Sequence, residues 1–141
     1  VTKEGRTAIF NSAGNPDSHI ILRGGSRGVN YQPEQVREAE EALAKADLPE
    51  KVMIDFSHAN SEKQHQKQID VGKNVGDQIA AGSSSIFGVM IESHLVAGNQ
   101  KVEPGKQLTY GQSITDACLA MDDTEDVLRG LSKAVRDRRA A

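Results

Sequence analysis

The sequence has no tryptophan, two tyrosines and three phenylalanines. Any core must therefore be largely aliphatic. A single cysteine, Cys118, excludes an internal disulfide and fits a reducing compartment, so a cytoplasmic location is expected. Neither sign of charge dominates: 17 Lys and Arg oppose 20 Asp and Glu, a formal net charge of -3. No long basic block is present, so nonspecific nucleic-acid binding is not expected. No apolar run approaches the roughly 18 to 20 residues that span a bilayer, and no signal peptide is recognised, so no membrane association is expected. The first residue is Val1 rather than Met, which points to a processed or cut chain. Walker, GxSxG, CxxC and HExxH motifs are all missing. With 141 residues the chain can build one ordinary domain. A complete (β/α)8 barrel usually needs roughly 200 to 250 residues or more.

Three short apolar runs stand out: His19-Ile20-Ile21-Leu22, Val52-Met53-Ile54-Asp55-Phe56 and Ile86-Phe87-Gly88-Val89-Met90-Ile91. Their near-continuous apolar character predicts strands buried on both faces of a parallel sheet. A helical pattern follows the first two. Pro33 suits a first helical position, with Glu34 in the first turn and Val36, Ala39, Leu43 and Ala46 on one face. Ser61 is expected to cap a second helix with Ile69, Val75 and Ile79 inward, ending at Gly82. Residues 97–111 read as a long loop. Ser113 and Asp116 give a capping signal for a short helix. Thr124 then reads as the cap of a last helix with Val127, Leu128, Leu131, Ala134 and Val135 inward. Arg136, Arg138 and Arg139 suit its carboxyl end as solvated cations. Near the start, Thr7-Ala8-Ile9-Phe10 reads as a short strand, half of a hairpin whose partner lies outside the chain. The β, then β-α, β-α, β-α order predicts parallel strands with right-handed crossovers. Three such units leave exposed edges, so the pattern reads as part of a larger barrel.

In such folds chemistry collects at the carboxyl ends of the strands. The first run ends in Arg23-Gly24-Gly25, the second in Ser57-His58-Ala59-Asn60, the third in Glu92-Ser93-His94. Arg23 suits a phosphate or carboxylate, and the glycines would let that ligand approach the backbone; an ordinary surface arginine remains the alternative. His58 is a candidate metal ligand, general base or structural histidine. Glu92 follows a buried strand and needs a partner, which a divalent cation shared with His58 would supply. Asp116 is a helix cap or a third ligand. Cys118 reads as an inert thiol rather than a ligand. His94 either shares the face of Glu92 or packs in its loop. His19 reads as structural and His65 as part of a solvated helix face.

The strings Ile20-Ile21-Leu22-Arg23-Gly24-Gly25, Met53 to Asn60, Gly88 to Leu95 and Tyr110 to Cys118 resemble type I DAHP synthase, as do Lys63 to Val71 and Gly98-Asn99-Gln100. DAHP is 3-deoxy-D-arabino-heptulosonate 7-phosphate. The resemblance runs from Val1 to the last helix. It implies an α/β fold: the C-terminal part, about strands six to eight with their helices, of a (β/α)8 TIM barrel. Residues 1–12 would be part of an inserted regulatory β-hairpin, preceding the rest of a single catalytic domain spanning 1–141. The implied reaction condenses phosphoenolpyruvate with erythrose 4-phosphate and water, releasing phosphate, at the first step of the shikimate pathway. The implied metal ligands are His58, Glu92 and Asp116, holding a divalent ion such as Mn, Fe, Co or Zn. Arg23 matches a residue binding phosphoenolpyruvate. Val1 and Phe10 match positions near the site of an aromatic amino acid effector. The parent enzyme would be a homo-oligomer.

The resemblance also implies what this segment lacks. The family's metal-binding Cys and its Lys-Pro-Arg-Thr segment have no counterpart here, so the segment alone is expected to be inactive. Glu4-Gly5-Arg6 replaces a family Trp-Gly-His, the loop Ser26 to Tyr31 replaces a shorter one, and Met121 stands where Trp is common. Two other functions stay open: a different metal-dependent phosphoenolpyruvate-condensing synthase, such as one using arabinose 5-phosphate, and a non-catalytic binding or assembly module.

Overall fold

The computed structural model describes residues 1–141. Three parallel strands, β1 (Ile20–Leu22), β2 (Val52–Asp55) and β3 (Ile86–Met90), form a sheet in that spatial order. Ile20 pairs with Val52 and Leu22 with Ile54. Asp55 pairs with Met90, after an irregularity between Val52 and Met53. Helix α1 (Pro33–Lys45) connects β1 to β2, and α2 (Lys67–Ala80) connects β2 to β3. After β3 come β4 (Val96–Asn99), β5 (Gln112–Ser113) and α3 (Met121–Ala140).

Alternation divides the sheet into two faces. Leu22, Val52, Ile54, Phe56 and Ile86 are buried, and they join Val71, Val75 and Ile79 of α2 with Val127 and Ala134 of α3 in one aliphatic core. Phe56 and Ile54 are fully buried. Burial of such a side chain contributes about 1.5 to 3 kcal/mol. Gly72 permits the close packing of α2: a Cβ there would come within 2.9 Å of Val127 and 3.0 Å of the Phe56 ring. The opposite face carries Ile21 and Met53, and at its carboxyl end Arg23, Asp55 and Glu92.

The parallel βαβ order matches the sequence reading, as do Pro33 at the start of α1 and the stop near Gly82, whose φ is +111°. Several local expectations are corrected. Thr7–Phe10 forms no strand and is exposed, because no neighbouring strand is available to satisfy its backbone. Ser61 caps no helix. Residues 58–64 turn back on themselves, Ser61 is buried, and α2 starts only at Lys67 with Gln66 at the cap. His65 therefore precedes the helix. Ile69 and Leu128 are exposed rather than inward, and Ala46 is exposed as the cap of α1. The segment 97–111 is not wholly loop, since β4 pairs in parallel with β5.

No helix forms at Ser113 and Asp116: Ser113 belongs to β5, while Asp116 lies on an exposed bend. Helix α3 begins a few residues before the expected Thr124 cap, where Asp122 and Asp123 suit its first turn. Thr124 is buried within that turn. Its hydroxyl donates to the Ala120 carbonyl at 2.9 Å and lies 2.7 Å from Ser93 Oγ. At the far end Arg138 is not merely solvated, because its guanidinium donates to the Ser83 carbonyl at 2.6 Å. No helix is long and apolar enough to cross a membrane.

Candidate metal centre

The chain leaves β2 through Asp55-Phe56-Ser57-His58, and this short segment is heavily cross-linked. Asp55 is buried, and its Oδ1 accepts from the Ser57 amide at 2.8 Å and the Ser57 hydroxyl at 2.6 Å. Its Oδ2 lies 2.7 Å from His58 Nδ1. An ionised carboxylate only accepts hydrogen bonds, so Nδ1 carries the proton and Nε2 presents its lone pair. His58 has φ +53°, a left-handed conformation that costs a non-glycine residue of order 1 kcal/mol or more. Asn60 anchors the same turn. Its side-chain amide donates to the carbonyls of Leu22 and Asp55 at 3.0 and 2.8 Å, and its oxygen accepts from the Asn30 amide at 2.8 Å.

Arg23 projects from the end of β1 and is exposed. Gly24 follows at φ +71°, and a Cβ there would meet Ala59 Cβ at 2.8 Å. This glycine therefore serves the close approach of two chain segments. Gly25 and Gly28 exchange two backbone hydrogen bonds of 2.9 Å and close the loop that follows.

Glu92 lies just beyond β3. Its Oε1 is 3.7 Å from His58 Nε2. Burial is the main influence raising its pKa, with added repulsion from Asp116 and Asp55 and opposition from His58 and Arg23. A lone pair and a carboxylate facing each other at this distance repel unless a proton, a water or a metal ion sits between them. Asp116 completes the group: donor atoms of His58, Glu92 and Asp116 all lie within 4.8 Å of one another. One imidazole nitrogen and two carboxylates suit a divalent first-row metal, and the Asp55–His58 bond is the kind that orients a histidine ligand. The three residues thus fit a metal on their own geometry.

A cavity of about 560 Å³ opens over the group, lined by Arg23, His58, Glu92 and Asp116 together with Ser61, Lys63, His65, Asn99 and Ala117. All four residues expected from the strand ends and from the resemblance meet here. Val1 and Phe10 do not; both are highly exposed in the opening segment. His94 is exposed and accepts from the Leu95 amide, so it takes the loop alternative. His19 packs edge-on against Phe87 with ring centroids 5.0 Å apart. Burial raises the pKa of Cys118, opposed by a Ser113 hydrogen bond and reinforced by Glu92 and Asp116, which keeps it a thiol. The sequence reading gave no role to Asp55, Asn60 or Lys63, and it placed His65 on a solvated helix face rather than at the cavity. A carboxylate inside an apolar run, three residues before a histidine, was the available signal for Asp55.

A parallel α/β sheet with a His–Glu–Asp cluster and an arginine at its strand ends belongs to the class of α/β folds that gather functional residues at the carboxyl ends of their strands. Residues 2–129 match the model of the DAHP synthetase I family, and the chain belongs to that family. It is 58% identical over 139 residues to the Phe-sensitive phospho-2-dehydro-3-deoxyheptonate aldolase of Escherichia coli K12, covering 99% of this chain and 39% of that one. The corresponding aldolase of Haemophilus influenzae is 55% identical over 141 residues, covering 100% and 39%. The structure of the Francisella tularensis aldolase superposes with a TM-score of 0.86 at 52% identity, covering 97% of this chain and 40% of that chain. The chain thus spans about two-fifths of the length of these relatives.

Proposed function

We propose that this chain is the C-terminal part of a DAHP synthase, carrying about the sixth to eighth strands of a (β/α)8 barrel and one portion of its active site. The full-length enzyme would condense phosphoenolpyruvate with erythrose 4-phosphate and water and release phosphate. The observation that carries this reading is the convergence of His58, Glu92, Asp116 and Arg23 on one cavity in a chain of this family. The exposed face and edges of the sheet are where the remaining strands would pack. Residues 1–12 would join an inserted hairpin, with Val1 and Phe10 near an aromatic effector, in keeping with the Phe-sensitive name of the Escherichia coli relative.

In this reading His58, Glu92 and Asp116 hold a divalent ion: Mn, Fe, Co or Zn. When bound, the ion supplies Lewis-acid polarisation of a carbonyl oxygen. The chain's own groups do the rest of their share by position. Asp55 keeps the His58 proton on Nδ1 and so leaves Nε2 free for the ion. Arg23 holds the phosphoenolpyruvate anion and compensates its charge. The third carbon of phosphoenolpyruvate then attacks the aldehyde carbon, water adds at the second carbon, and phosphate leaves. Positioning and charge compensation act together, so a partial pocket does not turn over. The full-length enzyme would be cytoplasmic and homo-oligomeric.

The test compares the full-length enzyme with the isolated segment. The full-length enzyme is expected to consume erythrose 4-phosphate in preference to arabinose 5-phosphate and to lose its activity with Arg23→Ala or Glu92→Ala. The isolated 141-residue segment is expected to be inactive. Preference for arabinose 5-phosphate, or turnover by the segment alone, overturns the proposal.

A further inference from the structure

Gln68 is the second residue of α2 and is completely buried. Buried glutamines are uncommon unless every polar atom is satisfied. Its partners here are both on the backbone of Glu92. The Gln68 amide nitrogen donates to the Glu92 carbonyl at 3.1 Å, and its oxygen accepts from the Glu92 amide at 2.9 Å. The side chain thus takes the place of a neighbouring strand where β3 has ended. The same Glu92 carbonyl accepts from the Leu119 amide at 2.9 Å. Leu119 is fully buried and lies three residues beyond Asp116. Upstream, the backbone N–H of Gln68 donates to the His65 carbonyl at 3.2 Å, and the backbone N–H of Lys63 donates to the His58 carbonyl at 2.8 Å. Gln68 therefore stands where the segments carrying His58, Glu92 and Asp116 converge, without reaching the cavity itself.

We propose that Gln68 is a positioning residue for the metal centre: its paired hydrogen bonds fix the backbone of Glu92 and so set the direction of the carboxylate toward His58 and Asp116. This inference rests on the metal-site reading above. A helix in sequence contact with the His58 turn thereby determines the geometry of a ligand on the next strand. Loss of the pair leaves the Glu92 amide and carbonyl under-satisfied and frees the strand end to rotate. Removal of groups that orient metal ligands typically weakens metal affinity about 10- to 100-fold.

The test uses the full-length enzyme carrying Gln68→Met, which keeps the volume and removes both hydrogen bonds. A second variant, Gln68→Leu, also removes both hydrogen bonds and differs from Met in shape. Val75→Ala, a core change on the same helix, controls for lost stability. Mn²⁺ affinity is read by chelator competition, and the bound ion by its electron paramagnetic resonance spectrum. Thermal unfolding is followed without metal. Both Gln68 variants are expected to bind Mn²⁺ at least about tenfold more weakly than wild type, with an altered spectrum. Val75→Ala is expected to lower the unfolding midpoint and leave affinity within about twofold of wild type. Wild-type affinity in a folded Gln68 variant overturns the inference, as does an equal loss in Val75→Ala. If Gln68→Met does not fold, the Gln68→Leu result decides. Wild-type enzyme that fails to bind Mn²⁺, or binding indifferent to Glu92→Ala, would instead sink the metal-site reading.

Discussion

Arg23, His58, Glu92 and Asp116 are held at the cavity in two different ways. His58 and Glu92 are fixed before any ligand arrives: the imidazole by buried Asp55, the glutamate backbone by Gln68 and Leu119. Arg23 and Asp116 reach the same cavity from exposed positions at a strand end and on a bend. The first pair is built into the polar interior of this segment. The second pair borders the open side of the cavity. Preorganisation is therefore concentrated between β2, α2 and β3. The remaining two residues gain most from whatever completes the pocket.

The largest effect that would sharpen this contrast is loss of the fixed imidazole. His58→Ala removes a proposed metal ligand and strips buried Asp55 of one partner. In the full-length enzyme, bound metal should fall to background and kcat/KM by about 10³-fold or more, about 4 kcal/mol in the barrier. Metal analysis beside steady-state kinetics measures both. Stoichiometric metal in the purified variant would break the contrast at its strongest point. Asp55→Asn is the next step down. An asparagine amide can donate to Nδ1 and move the ring proton to Nε2, the atom needed by the metal. A loss of about 10- to 100-fold in metal affinity is expected, with substantial folding retained. Chelator competition would expose the error if affinity were unchanged.

Asp116→Ala probes the exposed pair. Its carboxylate lies on a surface bend, so stability of the metal-free protein should change by no more than about 0.5 kcal/mol. The rise in unfolding temperature on adding Mn²⁺ should shrink markedly, because one ligand is gone. A large drop in metal-free stability would mean that Asp116 is as firmly built in as His58, and the two groups would no longer differ.

Much of this layout was legible in the sequence. Apolar runs ending in Arg23, His58 and Glu92 located the three strands and the cavity their ends share. The expected burial on both faces is not met: Ile20, Ile21 and Phe87 are exposed, because only one face of the sheet is covered by helices. The motif resemblance added Asp116, which local spacing alone left as a possible cap. What stayed hidden depends on contacts distant in sequence. Gln68 looks like any polar helix residue until β3 is seen to end beside it. Asp55 reads as part of a strand until His58 adopts φ +53° and turns back onto it. Helix starts at Ser61 and Thr124 were misplaced for a related reason. Both side chains lie in buried turns: Ser61 donates back to the His58 carbonyl, and Thr124 donates back to the Ala120 carbonyl and bonds Ser93 across the fold.

The smallest predicted effect separates the metal role of Glu92 from its folding role. Burial, with added repulsion from Asp116 and Asp55, raises the pKa of Glu92 in the fold. In the unfolded chain the carboxyl returns to its ordinary range. The charged form is therefore disfavoured by folding. Any stability contributed by the neutral form is fully present below the unfolded pKa and is lost as pH rises through the raised folded value. Glu92→Gln stays neutral and escapes that loss. Without metal, its unfolding midpoint should match wild type at pH 4 or below and exceed it modestly at pH 7. Saturating Mn²⁺ should reverse the order at pH 7, because wild type is stabilised by binding and the variant much less so. A variant less stable than wild type at pH 7 without metal would show that the Glu92 carboxylate supports the fold by itself. The fixed half of the site would then be ordered partly by its own charges, rather than solely by the backbone and neighbours that hold it in place.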